Sequence, residues 1–365
     1  MESVQKVAHI SKRDPLIDIL KGIGIVSVVI GHAGVLFPGG EYIPSVMFVY
    51  SYHLMLFFFT AGAVFSPQKY SDPFAYIGRQ LKGGVPQYWI YNFAFLAMHN
   101  VFSNAGLLDI PAFSLNDFVI KLSGVITLTH VEQLAGAMWF VPVLLWAKLL
   151  FAVVFQTAEK CPGKLFVHIL AVAACAAFGL YTNYWGMFFS YHIQTAFLGF
   201  PIIYLGFLFS RYRDRIHKYL NVFTCMGSAA LIIWIIKMGI GYVELSINQI
   251  ISPYLFYPVT VLGLIFAVSL AKVLQRIKIL EKIFSYLGSI SFHIMALHFL
   301  VFKCFDWVYG LIAGRDTFPV TGYPTSLPNN GLVYSVIGVA LPALAVYCFR
   351  KCAKKVSTVK TESRG

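Results

Sequence analysis

Runs of about 20 residues with almost no charge, the length a helix needs to cross a bilayer's hydrocarbon core, recur roughly ten times along the chain. They lie near 16–36, 46–66, 86–103, 137–156, 164–181, 186–209, 221–240, 253–271, 283–304 and 331–349. Composition agrees with that reading. Only 12% of the 365 residues are Asp, Glu, Lys or Arg, whereas soluble domains carry about 25%. The mean hydropathy is +0.73. Folded in water, such a chain would leave large apolar areas exposed, which soluble monomers rarely do. A cytosolic enzyme, a nucleic-acid-binding domain and a disordered linker are therefore excluded. The expected fold is all-α: a polytopic transmembrane helical bundle of about ten spans.

The net charge of +13 could suggest a nucleic-acid partner, but its distribution points to the membrane. Twenty-two of the 28 Lys and Arg fall in the N-terminal segment, the C-terminal tail and alternate connections around Lys69–Lys82, Lys160–Lys164, Arg211–Lys218 and Lys272–Lys282. The opposite connections hold Lys121 and Arg315, and Lys21, Lys148, Lys237 and Lys303 lie within spans. Cytoplasmic loops carry such an excess, so both termini are expected in the cytoplasm, with no nucleic acid as partner. The first run is too long, and too polar near its end, for a cleaved signal peptide. Residues 1–350 read as one membrane domain. Residues 351–365 read as a basic cytoplasmic tail, expected to be disordered and to lie on anionic lipid. The non-cytoplasmic connections near 104–136 and 305–330 are long, with Asp109, Asp117, Glu132, Asp306 and Asp316, and suit a large polar partner. Six cysteines show no CxxC pair and no metal-ligand spacing. They read as reduced thiols used as small hydrophobes, and no metal site is expected.

Ionisable groups inside spans are costly and point to function. In the first span, Lys21 and His32 are eleven residues apart, which places them on one helical face about 16 Å apart along the axis. Asp18 falls within about 40° of the same line, so the three form one polar stripe. The same residues also fit a helix-start ion pair and a histidine that reach to the two interfaces. His53 sits in the outer part of the second span, His298 in the outer half of the ninth, and Trp139 at the outer start of the fourth. Topology thus puts His32, His53, His298 and Trp139 at similar depth, where they would share a polar cavity. On the cytoplasmic side, Arg79 and Lys82 share one side of a helical turn, and Gly83, Gly84 and Pro86 then lead the chain into the membrane. The pair suits phosphate recognition and equally suits ordinary positive-inside anchoring.

These segments together resemble the acyltransferase 3 family of membrane O-acyltransferases, and within it the fucose 4-O-acetylase-like branch. Lys21 and His32, ten positions intervening, resemble the opening signature. His53…Phe58-Phe59-Thr60-Ala61-Gly62 resembles the histidine–Phe-Phe element, with Thr60-Ala61 in place of the usual residue-Ser. Arg79-Gln80-Leu81-Lys82…Pro86 resembles Arg-x-x-Arg…Pro with lysine at the second basic place, which loses a bidentate phosphate contact. Trp139-Phe140-Val141-Pro142 and Gly288-Ser289-Ile290-Ser291…His298 resemble two later elements. The resemblance runs from residue 13 to about 350.

It implies an integral membrane enzyme that moves an acyl group, usually acetyl, from cytoplasmic acyl-CoA to a hydroxyl of a cell-surface or lipid-linked carbohydrate. A bacterial inner membrane is the implied location. His32 would be the catalytic base, with Lys21 and Asp18 on its stripe, and Arg79 and Lys82 would help hold the CoA phosphates. Acetyl-CoA would be a co-substrate rather than a permanent cofactor. A hydroxyl is a poor nucleophile near neutral pH, and an imidazole with an ordinary pKa of about 6.5 suits its activation. The oxyanion formed needs a donor, for which His53, His298 and the Trp139 indole are candidates. Two rival readings remain. One is a glycan or lipid-linked-sugar carrier using the histidines as a proton relay; the other is a scaffold, which leaves Lys21 and His32 without a role.

Overall fold

The computed structural model describes residues 14–34, 44–67, 72–239, 243–314, 323–327 and 330–362. Lys6, Lys12, Arg13, Lys69, Arg315 and Arg364 of the sidedness argument, and Asp316, lie outside the described residues. Within them the fold is almost wholly helical: α1 (Pro15–Ala33), α2 (Pro44–Tyr50), α3 (His53–Ala63), α4 (Pro73–Asn104), α5 (Leu115–Ile126), α6 (Phe140–Glu159) and α7 (Lys164–Tyr184). There follow α8 (Ile193–Arg211), α9 (Arg213–His217), α10 (Val222–Lys237), α11 (Pro253–Gln275), α12 (Lys278–Ser289), α13 (Ser291–Ile312) and α14 (Gly331–Glu362). A hairpin of β1 (Val243–Glu244) and β2 (Gln249–Ile250) pairs Val243 with Ile250, and a 3-10 turn at Gln133–Trp139 leads into α6.

Local chemistry sets the helix starts. Asp14 caps α1 by accepting from the Leu16 N–H at 3.0 Å, with Pro15 in the first turn. Asp72 caps α4, accepting from Phe74 and Ala75. A Ser114–Asp117 capping box opens α5. Each satisfies amide donors that a helix start leaves without partners.

Among the described residues, eight helical stretches are long and apolar enough to cross a membrane: 15–33, 46–63, 133–159, 164–184, 190–211, 253–275, 291–312 and 331–353. Two other expected spans are helical but differ in kind. The run at 86–103 is the C-terminal part of the 32-residue α4, and that at 221–240 is the 16-residue α10. Gly83, Gly84 and Pro86, expected to lead the chain into the membrane, lie inside α4, as do Arg79 and Lys82. A glycine costs a helix only about 1 kcal/mol, too little to interrupt one with long helical flanks. The expected ninth span is instead divided at Ile290 into α12 and α13. The second run is likewise divided at residues 51–52. At both breaks a serine hydroxyl turns back onto a carbonyl three residues earlier: Ser51 to Phe48 at 2.6 Å and Ser289 to Tyr286 at 2.7 Å. Such bonds compete with the helix ladder. The tail expected to be disordered continues α14 to Glu362.

Small residues let the helices approach closely. A Cβ at Gly288 would overlap the Asp18 carbonyl, and one at Gly22 the Phe284 carbonyl, so α12 crosses α1 backbone to backbone. Gly62 and Gly206 do the same for α3 and α8, against the Ile203 and Phe59 carbonyls. In lipid, packing rather than water exclusion drives helix association, and small residues make close packing possible. α1 is thereby held among α3, α11, α12, α13 and α14.

Candidate active site

A cavity of about 910 Å³ opens inside the bundle, walled by α1, α3, α4, α6, α13 and the connection 323–325. α1 runs along one wall and contributes both Lys21 and His32, so the space extends over at least the ~16 Å rise between them. α3 runs the other way: His53 lies with His32, and Thr60 and Ala61 line the part toward Lys21. Trp139 lies at the His32 level, and Lys148, nine residues further along α6, lies at the Lys21 level with Gln80, Gly83 and Gly84 of α4. One end of the cavity therefore carries two lysines and the other three aromatic nitrogen heterocycles.

The histidines are ordered by their hydrogen bonds. His298 is fully buried, and its Nδ1 lies 2.9 Å from the Ile294 carbonyl, one turn earlier on α13. A carbonyl only accepts, so Nδ1 carries the hydrogen and, in the neutral ring, Nε2 carries the lone pair. That Nε2 lies 3.0 Å from Nδ1 of His32, and the two rings stack with centroids 5.2 Å apart. His32 Nδ1 therefore donates, which leaves the His32 lone pair on Nε2. A buried partner that fixes the tautomer and orientation of a cavity-lining imidazole is what a general base needs. Phe299 packs against both rings, at 4.8 Å from His32 and 4.3 Å from His298. His53 donates from Nδ1 to the Val49 carbonyl at 2.9 Å and stacks on Tyr50 at 4.7 Å.

Of the expected site residues, the structure brings Lys21, His32, His53 and Trp139 to one cavity. It does not bring the others there. Asp18 shares the α1 face by angle, but it is buried where α12 crosses α1 and does not line the cavity. Close backbone packing, invisible in a helical projection, covers that end of the stripe. His298 lies behind His32 rather than in the cavity wall. Arg79 and Lys82 are exposed on α4 while Gln80, Gly83 and Gly84 face inward. Because α4 is one continuous helix, Lys82 is turned well away from the side that lines the space, while Arg79, one turn before Gly83, stands at its edge. Lys148, Gln80, Tyr50, Phe299, Glu244 and Tyr323 also line the cavity. Of these only Lys148 carries a signal in the sequence, as a charge within a span.

The segment bearing Trp139 is anchored by a second polar cluster. Glu132, just before the 3-10 turn, accepts from His99 Nδ1 and from His130 Nε2, each at 2.8 Å. Nε2 of His99 lies 3.1 Å from the Pro111 carbonyl, so both nitrogens of this buried ring have partners. Burial pushes the Glu132 carboxyl up, but hydrogen bonds from His130 and His99 and their charge outweigh it and hold it below the usual carboxylate range. Tyr323 donates to the Gln133 carbonyl at 2.7 Å and fixes the connection over the cavity to the same turn; burial pushes its phenol well up. Among the described residues no cluster of three or more His, Cys, Asp or Glu is suited to a metal.

The acyltransferase domain model of the acyltransferase 3 family matches residues 14–349. No curated protein matches the chain, and no solved structure does. The family match covers nearly every helix that walls the cavity, and the helices themselves are those of a multi-pass membrane protein. The chain belongs to the acyltransferase 3 family of membrane acyltransferases.

Proposed function

We propose that this protein moves an acetyl group from cytoplasmic acetyl-CoA to a hydroxyl of a cell-surface or lipid-linked carbohydrate in a bacterial inner membrane, with His32 as general base. The observation that carries the reading is a single cavity joining Lys21 to His32, whose Nδ1 is committed to His298. The donor enters at the lysine end, which the excess of Lys and Arg assigns to the cytoplasm. The sugar enters at the other end, where Trp139 and Tyr323 offer ring faces and Glu244 a carboxylate.

The acceptor hydroxyl gives its proton to Nε2 of His32 while its oxygen attacks the thioester carbonyl carbon. The tetrahedral intermediate then collapses as the carbon–sulfur bond breaks. The imidazolium returns the proton to the departing thiolate, leaving an ester and free CoA. The Trp139 indole N–H is the donor that would meet the oxyanion. His53 is not, because its Nδ1 hydrogen goes to the Val49 carbonyl and its neutral Nε2 can only accept, and His298 is not, because both its nitrogens are engaged. Arg79 and Lys82 act at the outside of the donor mouth rather than within it.

The test uses the full chain in liposomes with labelled acetyl-CoA and a glycan acceptor. His32→Ala is expected to abolish label transfer while the protein still inserts. Retained transfer in that variant removes the mechanism. A carrier would instead move glycan across the bilayer without donor and with no change in product mass.

A further inference from the structure

Lys148 of α6 belongs to none of the sequence elements above, yet it faces the same cavity as Lys21. Its ammonium donates to Gln80 Oε1 at 3.1 Å. No carboxylate pairs with it among the described residues, and it lies near enough to Lys21 for the two charges to repel. A cation such as Lys148 within a helical bundle, with an amide oxygen as its partner, is costly, and an anion in the cavity beside it would offset that cost. The neighbouring α4 wall, which carries Gln80, is bare there: a Cβ at Gly83 or Gly84 would meet nothing within 4 Å, so a bulky group can reach the mouth.

Distance identifies the anion. If the thioester carbonyl meets His32, the Lys21 level lies about 16 Å away along α1. A pantetheine arm, about 13 bonds from sulfur to phosphorus, spans about 15 Å at the reach of an extended chain. The first phosphate of the donor therefore falls at the two lysines, with the nucleotide outside past Gly83 and Gly84.

Resting on the donor reading above, we propose that Lys148, with Lys21, binds the phosphate that joins the pantetheine arm to the rest of the donor, and that it selects phosphorylated pantetheine carriers over pantetheine itself.

The test is calorimetric titration of the full chain in nanodiscs with CoA, 4′-phosphopantetheine and pantetheine, for wild type, Lys148→Met and Lys148→Arg. Wild type is expected to bind the two phosphorylated ligands more tightly than pantetheine. Lys148→Met is expected to weaken those two by about 10- to 100-fold, the size of a lost charge-assisted contact, and to leave pantetheine unchanged. Lys148→Arg should recover most of the loss. If Lys148→Met weakens all three alike, or none, the assignment is overturned. If wild type binds none of the three, the donor reading fails, and this inference fails with it; that outcome is recognisable because it needs no variant.

Discussion

At the residue scale, function depends on which nitrogen of His32 is free. The order Ile294 carbonyl, His298, His32 makes His298 a positioning residue for the proposed base. His298→Phe removes the acceptor for His32 Nδ1 at nearly constant volume. It is expected to lower turnover by about 10²-fold or more, the usual worth of a positioned base, with the donor KM little changed. A steady-state split of kcat from KM checks this; a change in KM alone would indicate a packing role. Glu132 offers a second residue-scale outcome. Removing one partner from a buried ion pair costs about 3–5 kcal/mol, so Glu132→Gln should lower the melting temperature measurably in detergent. The pH dependence follows from the lowered Glu132 carboxyl. Its stabilisation is present above the ordinary carboxylate value and is lost as pH falls through the lowered folded value. Wild type should therefore lose stability on acidification, and Glu132→Gln should show a shallower loss over the same range.

At the scale of elements, close helix crossings hold the site. Gly22 and Gly288 bring α1 and α12 together beside Lys21. Gly288→Val places its branches against the Asp18 backbone, which cannot yield as a side-chain end can. Overpacking of this kind costs about 1–3 kcal/mol, and thermal unfolding of the solubilised protein reads it. Gly83→Val, where nothing lies within 4 Å of the added carbon, should be nearly neutral in the same assay. The helices themselves were legible in the sequence, since every expected span is helical over most of its length. Their breaks were not. The breaks fall at Ser51 and Ser289, whose hydroxyls bond to nearby carbonyls, a contact that Thr60 and Ser228 also make inside unbroken helices, whereas Gly83-Gly84-Pro86 sits inside α4.

For the whole molecule, the reading requires that the lysine end of the cavity faces the cytoplasm. Single cysteines at Lys164 and Lys121, in a chain with all six native cysteines, the half-exposed Cys161 among them, replaced by Ser, report this. Lys164→Cys is expected to react with an impermeant maleimide only from the cytoplasmic side, and Lys121→Cys only from the other. The opposite pattern would invert donor and acceptor ends.

Hydrophobic length and charge placement are properties of contiguous sequence, so the all-α membrane fold and the expected sidedness are legible in the order of residues alone. The same holds for Lys21 and His32, whose relation is fixed by one helix's geometry. The partnership of His32 with His298, 266 residues apart, depends on how α1 and α13 pack, and no spacing encodes it. Packing likewise covered the Asp18 end of the stripe, left Arg79 and Lys82 out of the cavity lining and brought Lys148 in. A span's length is decided by the residues within it; a cavity's lining is decided by which face each helix turns toward its neighbours.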